Sequence, residues 1–483
     1  MPREFLWLTL KTGENRPLKW ISVMRTRGLT CLFTACFIFL IFTQQTSLVF
    51  ALSVEKEAEL GKKFLANIKA HFQFLTDDYA QKYLNRLGTI LSQQVQTKPF
   101  PFHFYIIKQN DLNAFAGPGG HIFIYIGLIT SMDNVDELAG VIAHEMGHVV
   151  ARHISQRFEQ QKKISLATMA AILAGIFIGG KPGAALTTGS VAAGIQTQLH
   201  YSREDERQAD QLGFKFASLA GFDTAGLINA LRVIQESSWI QSNNIPPYLR
   251  THPTGPERIA NLESMLKQFP SSTNDEVKGL RQNFPIFKTI VLAKSSEPDA
   301  VEQVFKKQLN SGDNVALAHL GLGIVYKIKS EYGEAVRHLE AAFKAVPTLP
   351  VIWIELGEAY QLTGQDRKAI PLLEKVLNQK PDDTRATLLL ANSYENIGEY
   401  ERAIQLLKRL TYLEGSTPEI YYHLGMSYGR LNQLARAHYY LGLYFKKLGK
   451  REKARFHFAE AKRLSNGNSS LQQKIERDSK GIP

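Results

Sequence analysis

Residues 350–383 read PVIWIELGEAYQLTGQDRKAIPLLEKVLNQKPDD, and the same pattern recurs on both sides of this segment. The recurrence forms four consecutive segments of 34 residues, namely 316–349, 350–383, 384–417 and 418–451. In all four, the seventh and twenty-fourth residues are Leu, the eighth is Gly or Ala, the eleventh is Tyr and the twentieth is Ala. An internal period of this length predicts stacked pairs of helices, in which small residues permit close approach and Leu and Tyr fill the core.

These columns resemble those of tetratricopeptide repeats, and the resemblance implies a curved solenoid over 316–451 with a concave binding face. Residues 266–315 are expected to form a linker and a degenerate helical unit that precedes the solenoid. Residues 452–483 are expected to form a capping helix and a tail. We interpret the Tyr and Leu columns as core and not as a ligand site.

The composition limits the function classes. The chain has 483 residues, 44 % of them hydrophobic, which is enough for more than one packed domain. There are 57 Lys and Arg against 45 Asp and Glu, a net charge of +12. This mild excess favours peripheral contact with anionic membrane surfaces, but no motif or basic stripe supports binding of nucleic acid.

Residues 1–51 have the features of a secretory signal peptide. An apolar run at 29–42 follows Arg25 and Arg27, and the sequence Val-Phe-Ala at 49–51 suits cleavage before Leu52. The alternative is an uncleaved anchor, although the run is shorter than the ~20 residues of a spanning helix. Both cysteines of the chain lie in this run, so the processed protein would contain no disulfide.

Residues 52–265 mix helical and strand patterns. Apolar residues at three- and four-residue spacing predict helices within 54–95 and again over 134–158. Short β-branched and aromatic runs at 102–108 and 121–129 predict strands. The apolar stretch 164–195, which is broken by glycines, fits a buried helical hairpin, a transmembrane helix or a mobile cover over the site.

The chemistry is indicated by the sequence His-Glu-Met-Gly-His at 144–148. On a helix, His144 and His148 share one face and can bind one metal ion through their imidazole nitrogens. Glu145, adjacent to the first ligand, can accept a proton from the water that attacks a peptide bond. His153 falls off the ligand face and is expected at the surface or behind the ligands.

A catalytic zinc site needs a third protein ligand, and the charged run 202–210 offers one. Glu206 and Asp210 share a helix face, so Glu206 can bind the metal while Asp210 orients a ligand histidine. The alternative for such a run is a solvated helix face held by ion pairs.

Three separated motifs are similar to those of the M48 (Ste24/HtpX-like) zinc metallopeptidases. They are H-E-x-x-H at 144–148, S-R-x-x-E-x-x-A-D at 202–210, and Asn-Ala-Phe-Ala-Gly-Pro-Gly-Gly at 113–120. The resemblance covers about residues 55–265. It implies one Zn2+ bound by His144, His148 and Glu206, with Glu145 as the catalytic acid and base. Family members often carry Glu at the position of Gln208, which is not the ligand position.

The same resemblance implies a substrate edge strand containing Ile122, Phe123 and Ile124, to which an extended peptide would add. A further matching element runs from His252 to Arg258. We interpret Arg258 as pairing with an acidic side chain. His252 is expected either to stabilise the developing oxyanion or to occupy the open position of the zinc.

The predicted fold is therefore mostly α-helical with a small β-sheet. It comprises a leader (1–51), a zincin-type metallopeptidase domain (52–265) and an α-solenoid of repeats. This combination resembles exported, periplasmic M48 peptidases of Gram-negative envelopes. It implies a zinc endopeptidase for misfolded or unassembled outer-membrane proteins, with chaperone activity and with repeats that dock clients or the outer-membrane protein assembly machinery. Two alternatives are a repeat scaffold or chaperone whose peptidase domain is silent or self-blocked, and a membrane-embedded protease anchored by 164–195.

Overall fold

The computed structural model describes residues 52–159, 165–178, 201–240, 245–270, 274–412 and 417–481. The predicted signal peptide, both cysteines and the second arm of the 164–195 hairpin lie outside the described residues. The first arm is a helix that packs on the first described helix, Val54–His71, through a buried apolar cluster. Among the described residues, no helix combines the length and the apolar character that crossing a bilayer requires.

The first half of the described chain surrounds a small sheet with helices. Its elements are α1 (Val54–His71), α2 (Asp78–Gln93), β1 (His103–Ile107), β2 (Ala114–Gly117), β3 (His121–Tyr125), α3 (Ile126–Ser131), α4 (Val135–Val150), α5 (His153–Glu159), α6 (Leu166–Ile178), α7 (Arg203–Ala220), α8 (Ala225–Ile240), α9 (Pro247–Thr251) and α10 (Pro256–Met265).

The second half consists of helices throughout its described residues. They are α11 (Asp275–Ala293), α12 (Pro298–Ser311), α13 (Val315–Ile328), α14 (Tyr332–Ala345), α15 (Pro350–Leu362), α16 (Asp366–Gln379), α17 (Thr384–Asn396), α18 (Tyr400–Leu410), α19 (Pro418–Arg430), α20 (Leu434–Lys447), α21 (Arg451–Leu464) and α22 (Ser469–Ser479). The predicted fold class, mostly α with a small sheet, is confirmed.

The sheet corrects one prediction about the substrate edge. The strand order is β1-β3-β2, with β1 parallel and β2 antiparallel to β3. Ile122, Phe123 and Ile124 therefore lie on the central strand, whose five residues are all buried, and they are not an edge. The four-residue strand β2 has no clear sequence pattern, and it pairs with the side of β3 that was predicted to be open. The edge that packs on α4 is β2.

The run at 121–129 also divides differently from the prediction. Its strand ends at Tyr125, and α3 begins at Ile126. Periodicity cannot separate a short apolar strand from a short buried helix, so this boundary had no clear signal.

Helix α4 is the centre of the first half. Its N-cap Asn134 accepts a hydrogen bond from the backbone N–H of Glu137 at 3.1 Å. Residues Val135 to Val149, with the single exception of the half-buried Asp136, are buried, so the helix is covered on nearly all sides. Such a helix fixes its side chains firmly, which suits a site that depends on their positions.

The second half forms the predicted helix pairs. The Leu columns at positions seven and twenty-four of the first three repeats are buried, and so are all four Tyr residues of the eleventh position. A Cβ added at Gly323 would lie 2.3 Å from Leu339, and one added at Gly425 would lie 2.8 Å from Leu441. The small residues are therefore required for the close packing of paired helices, and the core interpretation of the columns is confirmed.

Helix α11 joins the two halves, which belong to one compact unit from Leu52 onward. On one side it contacts the start of α4, where Arg281 Nη2 lies 2.7 Å from Asp136 Oδ1. On the other side it packs against α13, the first helix of the first repeat. The metal-site helix and the repeats are thus connected through a single intervening helix.

Candidate metal centre

Helix α4 presents the three residues of the H-E-x-x-H motif in the protein interior. His144 and Glu145 are fully buried, and His148 is 1 % exposed. The Nε2 atoms of His144 and His148 lie 3.0 Å apart and therefore converge on one point. The predicted i, i+4 arrangement of the two imidazoles is confirmed.

Helix α7 brings Glu206 to the same point. The helix begins with a capping box in which Ser202 and Asp205 exchange hydrogen bonds, so Glu206 falls in its first turn. Two glycines permit the close approach of α7 to α4. A Cβ at Gly147 would lie 2.7 Å from Ala209 O, and one at Gly213 would lie 3.0 Å from His144 N.

A fourth donor comes from His252, which ends α9. Its Nδ1 lies 3.0 Å from Glu206 Oε1 and 3.3 Å from His144 Nε2. His148 Nε2 lies 3.4 Å from Glu206 Oε1. In total, His144, His148, Glu206 and His252 offer four buried ligand atoms within 4.8 Å of one another.

These separations fit a tetrahedral zinc ion. Ligand atoms at about 2.0–2.1 Å from zinc lie about 3.3 Å from each other. The observed separations of 3.0 to 3.4 Å bracket this value. The donor set of three imidazoles and one carboxylate is also one that zinc accepts.

Glu145 supports the same assignment. Both of its carboxylate oxygens are buried without a hydrogen-bond partner among the described residues. The closest cationic candidate is His252, whose Nε2 lies 3.5 Å from Glu145 Oε1. Burying a carboxylate without hydrogen bonds costs free energy. A metal ion and its bound water close to Glu145 would offset that cost.

The sequence comparisons agree with this geometry. The profile of peptidase family M48 matches residues 78–266, which include all four donor residues and Glu145. We refer to the matched segment, residues 78–266, as the M48 domain. A tetratricopeptide repeat profile matches residues 367–424, so the predicted resemblance of the helix pairs is also confirmed.

The chain is similar to characterised metallopeptidases over part of its length. The beta-barrel assembly-enhancing protease of Yersinia pestis is 29 % identical over 237 residues, which are 48 % of this chain and 49 % of that protein. The mitochondrial metalloendopeptidase OMA1 of Schizosaccharomyces pombe is 29 % identical over 170 residues, 35 % of this chain and 47 % of that protein. The chain spans about half the length of the curated relatives it matches.

Among solved structures, YrrB is similar to part of this chain and is described as a tetratricopeptide protein with an unusual peptide-binding site. It is 20 % identical to this chain, and the alignment covers 42 % of this chain and 97 % of YrrB with a TM-score of 0.29.

Asp210 and Arg258 form polar contacts with the candidate ligand residues of the M48 domain. Asp210 Oδ1 lies 2.8 Å from His144 Nδ1, which is the contact predicted for it. Arg258 Nη1 lies 2.6 Å from Glu206 Oε2, and Arg258 Nη2 lies 2.8 Å from Asp210 Oδ1. The predicted pairing of Arg258 with an acidic side chain is therefore present, with two partners.

His153 supports the other ligand histidine of the M48 domain. Arg152 adopts a left-handed conformation, with φ of 56°, that ends α4 and turns the chain back. His153 is consequently buried, and its Nδ1 lies 2.8 Å from His148 Nδ1. Its Nε2 lies 3.0 Å from Gln208 Oε1. His153 thus lies behind the candidate ligands, one of the two places expected for it, and its contact with His148 was not predicted.

Two tyrosines that the sequence analysis missed enclose His252. The rings of Tyr248 and Tyr201 stack on the imidazole with centroid distances of 4.6 and 5.1 Å. Tyr201 also stacks on His148 at 3.8 Å. No local pattern marks these tyrosines, because they lie in separate segments that only the fold brings together.

The electrostatics of the M48 domain keep Glu206 and His148 in the protonation states that metal binding needs. Burial alone would raise the pKa of the Glu206 carboxyl, but His252, His148 and Arg258 hold that pKa well below its usual range. Burial also lowers the pKa of His148, which favours the neutral imidazole. An ionised carboxylate and a neutral imidazole are both metal ligands.

A cavity of about 650 Å3 lies beside the site. Its lining includes Tyr201, Glu206, Asp210, Arg258 and Met265. The cavity thus borders the Glu206 carboxylate and Arg258, and it lies on the side of α7 and α10.

Proposed function

We propose that this chain is a zinc metalloendopeptidase that acts on misfolded or unassembled envelope proteins. The observation that carries the proposal is the convergence of His144, His148 and Glu206 beside the Glu145 carboxylate, which forms no hydrogen bond among the described residues. The membership of residues 78–266 in the M48 family supports the same reaction class.

The residues of this site have separate roles in peptide hydrolysis. When bound, a zinc ion would polarise the scissile carbonyl and make water more acidic. His144, His148 and Glu206 would hold the ion. Glu145 accepts the proton of the attacking water and returns it to the leaving amine, as its buried and otherwise unpartnered oxygens allow. The apolar residues that surround α4 exclude bulk water from this transfer.

We further propose that His252 closes the resting site. With its imidazole at the fourth donor position, no position remains for water or substrate. Opening would require His252 to leave the space between Tyr201 and Tyr248. Of the two roles considered for His252, the distances to Glu206 and His144 favour the blocking role over oxyanion stabilisation.

Substrate would bind in extended form along β2. This strand is the sheet edge that packs on the metal-site helix α4, and edge strands bind peptides through main-chain hydrogen bonds. Its four residues are buried in the resting site, so this pairing would follow the same opening. The same proposal includes an export signal at 1–51, a periplasmic location and docking of outer-membrane assembly components on the repeats. The name of the Yersinia relative, a beta-barrel assembly-enhancing protease, supports the part of the proposal that concerns barrel assembly.

The experiment that tests the proposal uses residues 52–483. We expect about one zinc ion per chain and digestion of casein, and we expect Glu145→Gln to abolish digestion while retaining zinc. Glu263→Gln is a matched control, because Glu263 pairs with Arg232 on the surface. Absence of zinc from the purified protein, or digestion that survives Glu145→Gln, would overturn the proposal.

The second candidate is a repeat scaffold or chaperone with a self-blocked peptidase domain. The four-donor arrangement with His252 favours it, because such a site cannot react while it stays closed. In that case Glu145→Gln and the parent protein would suppress aggregation of an unfolded client equally, and neither would digest it.

A further inference from the structure

The chain turns back between the metal-site helix α4 and the following helix α5. Arg152, the residue at this turn, has a φ of 56°, in the left-handed region that a residue with a Cβ adopts only at a cost in free energy. Among the described residues, the other non-glycine positions with positive φ carry short polar side chains, namely Asn314, Ser330 and Asn432. A long arginine side chain needs contacts with the rest of the protein to hold such a backbone.

The turn at Arg152 determines where His153 lies. The backbone N–H of Arg152 donates to the carbonyl of Val149 at 3.1 Å, and α5 then begins at His153. This turn directs His153 back onto α4, where its Nδ1 lies 2.8 Å from His148 Nδ1. A continued helix would instead place His153 about 140° of rotation away from the face of His148. The contact between the two imidazoles therefore depends on the left-handed backbone of Arg152.

The guanidinium of Arg152 is bound to the start of α1. Its Nη2 and Nε atoms lie 2.7 and 3.0 Å from Glu57 Oε2. Nη2 also donates to the backbone carbonyl of Leu52 and lies 3.2 Å from Ser155 Oγ. Glu57 is only 2 % exposed, and burial raises the pKa of its carboxyl, an effect that Arg152 opposes most strongly. A charge pair at such a site is weakly screened by solvent, so it can hold the strained backbone.

Helix α1 is itself fixed against the β-sheet. A Cβ added at Gly61 would lie 2.4 Å from a backbone oxygen in the turn between β2 and β3. About one helical turn further along, Phe64 is fully buried, and its ring packs edge-on against Phe115 of β2 and Phe123 of β3. Glu57 therefore lies on a closely packed helix, and its ion pair connects the sheet to the end of α4.

We propose that Glu57 is a positioning residue of the candidate metal centre. Its ion pair with Arg152 offsets the cost of the left-handed backbone, and that backbone keeps His153 in contact with His148. Glu57 acts on this ligand imidazole through two intervening residues and does not belong to the four-donor group. Loss of the ion pair would release His153, and His148 would no longer be held in one orientation. The inference deepens the proposed function and rests on it for the presence of zinc.

The first measurement is the zinc affinity of residues 52–483, determined by competition with a chelator. Glu57→Ala should weaken the affinity about tenfold, which corresponds to the usual cost of a left-handed backbone at a residue with a Cβ. Adding Arg152→Gly to Glu57→Ala should restore most of the affinity, because glycine adopts a positive φ without this cost. If Glu57 merely anchored α1, the second substitution would restore nothing. Glu57→Gln keeps the shape of the side chain, so it allows the same comparison if Glu57→Ala does not fold.

The second measurement needs neither zinc nor peptidase activity. Nitrogen-15 NMR of the histidines in the zinc-free chain distinguishes an imidazole with its proton on one nitrogen from a mixture of tautomers. His148 should have a single tautomer in the parent, a mixture in Glu57→Ala, and a single tautomer again once Arg152→Gly is added. Glu59→Ala is the matched control, because Glu59 pairs with Lys63 on the exposed side of α1. It should match the parent in both measurements.

Two results would overturn the proposal. The first is a parental zinc affinity or a parental His148 spectrum in Glu57→Ala. The second is an equal loss of zinc affinity in Glu57→Ala with and without Arg152→Gly. A parent chain that binds no zinc would instead overturn the proposed function, and the His148 spectra alone would then decide whether Glu57 positions this ring.

Discussion

The Nδ1 atoms of His148 and His153 lie 2.8 Å apart in the protein interior. At this distance one nitrogen donates a proton and the other accepts it. Where the amide oxygen of Gln208 accepts from Nε2 of His153, a neutral His153 ring has its Nδ1 as an acceptor. His148 then carries its proton on Nδ1 and presents the lone pair of Nε2 to the metal position. The contact therefore selects the tautomer that can bind zinc.

We expect His153→Ala to lower the zinc affinity about 10- to 100-fold, the usual cost of removing a side chain that orients a ligand. The affinity would be measured by competition with a chelator. Gln208→Glu should retain most of the affinity, because a carboxylate also accepts from Nε2, whereas Gln208→Leu should lose part of it. His71→Ala, an exposed histidine on α1, is the control. Unchanged affinity in His153→Ala would show that His148 needs no such support.

We expect His252→Ala to raise peptidase activity. The variant opens the fourth donor position, while His144, His148 and Glu206 still retain the zinc. The gain would be about tenfold if the open form makes up about a tenth of the resting protein. Peptide hydrolysis and zinc content would be measured together, and the added change Glu145→Gln should remove the gain. Unchanged or abolished activity in His252→Ala would contradict the blocking role.

The repeats and the candidate metal ligands of α4 could be predicted from the sequence because local rules determine where these residues lie. A 34-residue period is visible without knowledge of the fold, and the spacing of His144 and His148 places both rings on one helix face. Glu206 was less certain, since a charged run is usually solvated. The structure resolves that choice through Gly147 and Gly213, which bring α7 close enough to α4 to bury the carboxylate.

Strand order and the enclosure of His252 depend on contacts that have no local signature. The strand β2 has four residues between turns, too few to show a period, so its pairing with β3 was missed and β3 was wrongly taken as an edge. Tyr201 and Tyr248 meet His252 through ring stacking from two separate segments. Neither spacing nor composition predicts such a contact.

The junction between the M48 domain and the repeats should depend strongly on Glu355. This residue is fully buried, its Oε1 lies 2.8 Å from Arg385 Nη1, and it also contacts Lys327. Glu355→Ala would remove the carboxylate that Lys327 and Arg385 share and leave both cations with the half-buried Glu358 as their acidic partner, which should cost about 1–3 kcal/mol of unfolding free energy. Chemical denaturation would measure the loss.

The matched control for Glu355 is Glu334→Ala in the first repeat. Glu334 pairs with Arg337 on the surface, where both side chains are largely exposed. Such a pair contributes about 0–1 kcal/mol. Equal losses in the two variants would mean that the buried cluster does not stabilise the junction.

The stability of the solenoid should fall in mild acid because of His338. Burial, the charge of Arg337 and the neighbouring His319 lower the pKa of His338 from 6.5 to about 4. The unfolded chain therefore binds a proton near pH 6.5, whereas the folded chain does so only near pH 4. The contribution of neutral His338 to the free energy of unfolding is fully present above pH 6.5. It declines as the pH falls from 6.5 toward 4.

Because the unfolded chain binds a proton at His338, the free energy of unfolding at pH 5 is lower than at pH 7 by about 1–2 kcal/mol. Denaturation of the parent and of His338→Gln at both pH values isolates the contribution. The difference between the two pH values should shrink by that amount in His338→Gln, because glutamine does not titrate. Arg337→Gln should shrink it in part, since removal of the nearby cation lets the folded histidine accept its proton at higher pH. If His338→Gln kept the full difference, the acid sensitivity would have to arise from other histidines of the chain.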